Sequence, residues 1–205
     1  MEQRSPEWFA ARCGKLTASR FADVMNVLKD GSPGANRRAL VTLLAVERLT
    51  GETVETFCND AMRRGTELEP AARAAYEAQT GEFVEEAAFV PHPDVAYVGV
   101  SPDGLLGDDG LVELKCPANM AKHLDAIRSG DHAKEYRWQL QGQLWATGRA
   151  WVDAVSFDPR FPEHLRLAIV RVTRDEIAIR QLAAECEKAN AEIEEILHDL
   201  QQKAA

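Results

Sequence analysis

Between residues 83 and 115 the hydrophobic pattern changes period, and this limits the fold more than any other feature of the chain. Before this region apolar residues recur at helical spacing; within it they fall in short alternating or β-branched runs. Strands are expected at Phe83–Val90, Ala96–Ser101 and Leu111–Lys115, with Asp109-Gly110 a strong hairpin-turn pair between two of them. Four helices are expected ahead of them. Ser5 caps a short one, with Pro6 at its first position. Thr17 or Ser19 caps a second that runs to about Leu28, Arg37–Thr50 forms a third ended by Gly51, and Asn59 or Asp60 starts a fourth that stops near Gly81. Helices at Ala118–Arg128 and Ala133–Thr147, strands at Trp151–Phe157 and Arg166–Val172, and a long helix from about Arg174 to Gln202 complete the order. The breaks at Lys29–Ala35 and Pro159–Glu163 read as loops inside one domain. The expected fold is α+β: a central mixed β-sheet flanked by helices, in a single domain spanning residues 1–205.

The composition narrows the class. A hydrophobic share of 45% and a charged share of 28% suit a soluble globular chain. No apolar run nears the roughly 20 residues that span a bilayer, and the N-terminus lacks a secretory pattern, so a cytoplasmic protein with no membrane partner is expected. Cys13, Cys58, Cys116 and Cys186 are scattered, which disfavours a zinc or iron–sulfur site and favours free thiols. The five histidines form no ligand cluster in the sequence. A net charge of −9 counts against a surface that coats nucleic acid, although it leaves room for an enzyme that confines its cations to one channel.

The chemistry is concentrated in Ser101–Pro117, SPDGLLGDDGLVELKCP. Asp103 lies just past one strand, and Glu113 and Lys115 lie two apart on the next, hence on one face. If the Asp109-Gly110 turn folds the second strand beside the first, Asp103 and Glu113 converge with Lys115 next to them. Two convergent carboxylates suit a hard divalent cation such as Mg²⁺. Such a cation polarises a phosphoryl oxygen, and an adjacent ammonium can orient water and offset developing charge. A Glu-x-Lys pair is also common on solvated strand faces. The apolar surroundings in LVELKCP argue for burial here, and buried charges need partners. Asp108 and Asp109 belong to the turn.

With these residues go WFAARCGKLTAS (Trp8–Ser19), GTELE (Gly65–Glu69), SPDGL (Ser101–Leu105), ELKCP (Glu113–Pro117) and YRWQLQGQLW (Tyr136–Trp145). In this order and spacing they resemble the lambda exonuclease group, the YqaJ-type viral recombinases, of the PD-(D/E)xK nuclease superfamily. The resemblance runs from about Pro6 to Pro159 and implies a restriction-endonuclease-like core. It implies that Asp103 and Glu113 bind the metal, with the Leu114 carbonyl as an extra ligand, and that Lys115 is the catalytic lysine. Mg²⁺ would be the cofactor, with Mn²⁺ able to substitute. Glu69 would support the metal site from a helix, whereas Glu67 fits a solvated acid. Gln139 and Gln141 would be the paired glutamines near the site. Arg12 and Ser19, with Thr17, would form a terminal-phosphate pocket; a plain helix cap and a surface cation are the competing reading. Met62 would be an apolar wedge at the duplex end, with a core methionine the alternative, and Arg63 and Arg64 beside it would contact phosphate, with plain solvated cations the alternative. Lys29, Arg37 and Arg38 are weak candidates for gripping duplex.

The implied activity is 5′-to-3′ digestion of one strand of linear double-stranded DNA, leaving a 3′ single strand for recombination. A homotrimeric ring and a single-strand annealing protein as partner are implied with it. A structure-specific endonuclease or a catalytically inactive DNA-binding module are the alternatives.

Overall fold

The computed structural model of the chain describes residues 3–54 and 60–204. Helix α1 (Pro6–Arg12) starts as expected: the Ser5 hydroxyl accepts the Trp8 N–H at 3.2 Å, and Pro6 occupies a first-turn position where no N–H is needed. Strand β1 (Leu16–Thr17), a single 3₁₀ turn (Ala18–Arg20) and α2 (Phe21–Val24) follow. The expected second helix is therefore shorter than its pattern suggested. Thr17 precedes the turn without a side-chain cap bond, and the helix stops at Val24. The Asn26 carbonyl accepts from Gly34 and its side chain accepts from Asn36, so the chain folds into a loop there. Helix α3 (Ala35–Thr50) ends on Gly51 in the left-handed region (φ +72°), the expected stop. Helix α4 (Asp60–Thr80) carries Pro70 inside it. The candidate start at Asn59 and the thiol of Cys58 lie outside the described residues.

Short strands β2 (Val84–Glu85), β3 (Val90–Pro91), β4 (Val98–Val100) and β5 (Gly104–Leu106) lead to β6 (Gly110–Lys115). Helices α5 (Met120–Ser129), α6 (His132–Glu135) and α7 (Arg137–Thr147) precede β7 (Trp151–Phe157), β8 (Leu167–Thr173) and α8 (Glu176–Ala204). The main sheet runs β2-β5-β6-β7-β8, with β6 and β7 parallel and every other pair antiparallel. A smaller sheet runs β1-β4-β3.

Two strand expectations are corrected. Phe83–Val90 is not one strand; its ends pair in different sheets. The strand beside β6 is β5, with Gly104 opposite Val112, and not the Ala96–Ser101 segment, whose β4 belongs to the smaller sheet. The turn between them is residues 107–109, where Gly107 takes φ +49°, and Gly110 already pairs with Leu106.

Alternation along β6 decides what covers each face. Val112 and Leu114 pack with Ala72 and Tyr76 of α4. Leu111 packs with Leu140 and Leu144 of α7. Glu113 and Lys115 share Leu111's parity and so face α7. Gly142 lets α7 lie close on α2, since a Cβ there would stand 2.1 Å from the Phe21 ring. Burying apolar surface on both faces contributes roughly 25 cal/mol per Å², so the polar face holding Glu113 is fixed by its apolar neighbours.

Arg37, a candidate duplex contact, is corrected to a structural role. It is 2% exposed and ties α3 to Glu185 and Glu192 of α8. Lys29 and Arg38 remain exposed. Among the described residues no helix is long and apolar enough to cross a membrane.

Candidate active site

Glu113 is 3% exposed and meets three donors. Lys115 Nζ stands 2.6 Å from Oε1, Gln139 Nε2 donates to the same oxygen, and Gln143 Nε2 donates to Oε2 at 2.6 Å. Gln139 also accepts from Lys115 through its Oε1 at 3.3 Å. The ammonium lies 4.7 Å from the centre of the Tyr136 ring. Burial works against the charged lysine, but Glu113 and Asp103 outweigh it and hold its pKa above the usual value. The two carboxylates thus favour the charged form of the Lys115 amine.

Asp103 reaches the same place from the start of β5. Its Oδ2 accepts the Leu114 N–H at 2.7 Å, which pins the loop before β5 to β6. Burial first, and Glu113 next, push its carboxyl well above the ordinary carboxylate range. Glu69 of α4 borders the same cavity, held by Arg4 at 2.8 Å and Arg73 at 3.4 Å. Glu67 is exposed. The cavity measures about 570 Å³.

Two carboxylates that repel one another across a cavity, with one lysine beside them, have a charge deficit a cation would fill. Among the described residues no group of three or more His, Cys, Asp or Glu side chains forms a metal cage. Asp103 and Glu113, with the Leu114 carbonyl that the resemblance adds, would be a sparse all-oxygen set that leaves positions for water. Such a set fits Mg²⁺, which dehydrates reluctantly and is usually held by one or two carboxylates.

The expected glutamine pair needs one correction. Gln139 is in the site, but Gln141 is not. The Gln141 amide donates to the Thr173 carbonyl and accepts the Asp175 N–H, each within 2.9 Å, securing the start of α8. A helix turns about 100° per residue, so positions two apart face different ways and positions four apart share a face. Gln143 is the true companion of Gln139. It was not anticipated, although the third Gln of QLQGQLW was visible at that spacing.

Arg12, which also lines the cavity, is partly buried. Its guanidinium lies 4.0 Å over the Trp8 ring and donates to Ser101 Oγ at 3.0 Å and Thr17 Oγ1 at 3.4 Å. Among the described residues it forms no ion pair. Burial, with Arg20 adding repulsion, lowers its pKa to about 10, so it still carries its charge at neutral pH. A desolvated cation that donates to hydroxyls and makes no ion pair, with Glu47 acting on it only at longer range, has the character of an anion site. Ser101 and Trp8 were not singled out by the sequence; the Trp8 indole N–H also donates to Ser101 Oγ, at 3.0 Å. Thr17 is 5% exposed, while Ser19 is exposed and lines the cavity.

Met62 borders the cavity and is 52% exposed, so it is not a core residue. Arg63 does not line the cavity. It pairs with Asp60 on the exposed side of α4. Arg64 turns inward to the buried Asp158 at 3.5 Å.

The pattern of the YqaJ-like viral recombinase domain matches residues 7–150. No curated protein matches the chain. Two crystal structures of LHK-Exo, an alkaline exonuclease from Laribacter hongkongensis, superpose with TM-scores of 0.89 and 0.88. They are 44% and 45% identical to this chain, and each match covers 98% of both chains. A phage-related exonuclease from Haemophilus somnus 129PT shares the fold, with a TM-score of 0.75 at 16% identity over 91% of this chain and 96% of that one. The core is restriction-endonuclease-like, and the kinship supports a nuclease role for the chain. On the extent of the family match, the chain belongs to the YqaJ-like viral recombinases.

Proposed function

We propose that the protein is a Mg²⁺-dependent exonuclease that digests one strand of linear double-stranded DNA from its 5′ end, leaving a 3′ single strand for recombination by annealing. The observation that carries this reading is one cavity with two poles: the Asp103–Glu113–Lys115 cluster and the unpaired cation Arg12. A site built to cut anywhere along DNA has no need of a second, buried anion pole. A terminal phosphate at Arg12, Ser101, Thr17 and Ser19 would register the strand so that the next phosphodiester meets the carboxylates. The relative LHK-Exo has been crystallised with dAMP, the kind of nucleotide that stepwise removal releases.

Asp103, Glu113 and the Leu114 carbonyl would hold Mg²⁺, or Mn²⁺ in its place; when bound, the cation supplies Lewis-acid polarisation of the phosphoryl oxygen and a lowered pKa for water. Gln139 and Gln143 fix the Glu113 carboxylate, and Glu69 adds negative charge beside Asp103. Lys115 keeps its proton, orients the attacking water and offsets negative charge developing on the phosphoryl group. Met62, at the cavity rim, would wedge the terminal base pair open.

We infer further that the protein works in the cytoplasm as a single-domain subunit of a homotrimeric ring that threads DNA, with a single-strand annealing protein as partner. A solution mass of three chains by light scattering supports the ring, and a mass of one chain removes it.

Linear duplexes with a 5′-phosphate or a 5′-hydroxyl test the anion pole. A hydrogen bond to a charged group is worth about 1.5–3 kcal/mol, roughly ten- to hundredfold. The 5′-phosphate end should be degraded faster by that factor, and Arg12→Ala should erase the difference. Equal rates on both ends in the unaltered protein would remove the phosphate pocket from the account.

A further inference from the structure

Arg4 is the one non-glycine residue among the described residues with a left-handed backbone (φ +67°). Such a conformation is disfavoured for a long side chain and is kept only where surrounding contacts enforce it. Gln3 supplies them: its amide donates to the Ala87 carbonyl at 2.7 Å and to the Pro102 carbonyl at 3.0 Å, one residue before Asp103. The arm ahead of α1 is thereby strapped across the edge of the site, and the Arg4 side chain is delivered to the cavity wall.

Holding Glu69, at 2.8 Å, takes only part of the Arg4 guanidinium. Arg73 already pairs with Glu69 from the same helix, one turn away. Arg4 spends a single N–H on Glu69 Oε2, and its guanidinium makes no other hydrogen bond within the described chain. Its side chain is 47% exposed. Four of the five donors of a planar fork thus remain for a ligand in the cavity, and that fork matches the non-bridging oxygens of a phosphate. α1 then carries a guanidinium at each end, Arg4 just before it and Arg12 as its last residue, both bordering one cavity.

We propose that Arg4 is a DNA-binding residue that grips a phosphodiester of the strand lying in the cavity, at a position separate from the terminal phosphate at Arg12. This rests on the nuclease reading above. It gives the strand a second cationic contact and leaves Glu69 ion-paired to Arg73 when the Arg4 fork turns to phosphate.

The test is binding of linear duplex in chelator across a salt series, for the unaltered protein, Arg4→Gln and Arg4→Lys, on 5′-phosphate and 5′-hydroxyl ends. Arg4→Gln should weaken binding about tenfold on both ends alike and flatten the slope of log affinity against log salt by about one ion. Arg4→Lys should restore the slope. Thermal midpoints should stay within about 2 °C of the unaltered protein. An unchanged slope, or a loss confined to the 5′-phosphate end, would overturn the proposal. Failure of the unaltered protein to cut DNA in Mg²⁺ would instead overturn the nuclease reading and this proposal with it.

Discussion

Lys115→Ala should lower kcat about 10²- to 10³-fold while leaving DNA affinity nearly unchanged. Removing one preorganised donor from a site where charge develops typically has that effect, about 3–4 kcal/mol of barrier. The rest of the site should survive. Glu113 keeps its bonds from Gln139 and Gln143, and Asp103 keeps the Leu114 N–H. The two carboxylates lose their nearest positive charge, so divalent-cation affinity should hold or rise. Calorimetric titration with Mn²⁺, beside single-turnover rates, separates these effects. Retained turnover would refute the mechanism, and lost metal binding would show that Lys115 acts by holding the ligands in place.

The largest loss of stability is expected from Arg37→Ala. The guanidinium is almost wholly buried, donates two bonds to Glu192 at 2.8 and 3.2 Å, pairs with Glu185, and reaches the Val24 carbonyl at 3.4 Å. It joins α2, α3 and α8 around one core cluster. Truncation removes a large side chain from a packed interior, takes the Arg37 pair from Glu192 and leaves Glu185 with Lys188 alone. Breaking a buried pair in this way costs about 3–5 kcal/mol. At about 2–4 °C per kcal/mol for a chain of this size, the thermal midpoint should fall by roughly 6–20 °C. DNA binding measured well below the melting range should keep its salt dependence. A stable variant with a flattened salt slope would return Arg37 to the DNA-gripping role that its place in the sequence suggested.

The sequence revealed more of the site than of the wiring around it. Trp151–Phe157 was legible at its observed limits, because a run of alternating and β-branched residues needs no distant partner to be seen. β5 was hidden: three residues, opening on a glycine, carry too little pattern, and its neighbour was read as the partner of β6 instead. The parallel pairing of β6 with β7 joins Gly110 to Trp151 across three helices, and no local signal encodes that. Asp103, Glu113 and Lys115 still converge, since the same-face rule along β6 holds whichever strand lies beside it.

Misreadings at the site came from spacing as well. Gln141 belonged to the motif but not to the cavity, because helical period and not sequence proximity selects Gln143. Arg64 lies beside the exposed Arg63, yet it turns inward to Asp158. Ser101 stood two residues before Asp103 in full view. Only its contact with Arg12 marks it as part of an anion pole.

The central claim is that this site hydrolyses DNA from an end and needs a metal ion to do so. Incubating linear duplex and covalently closed circular duplex with the protein, in Mg²⁺ or in chelator, tests it most directly. The account predicts that the linear DNA is digested in Mg²⁺, remains intact in chelator, and that the circle survives both. Cleavage of the closed circle, or digestion of the linear duplex in chelator, would contradict it.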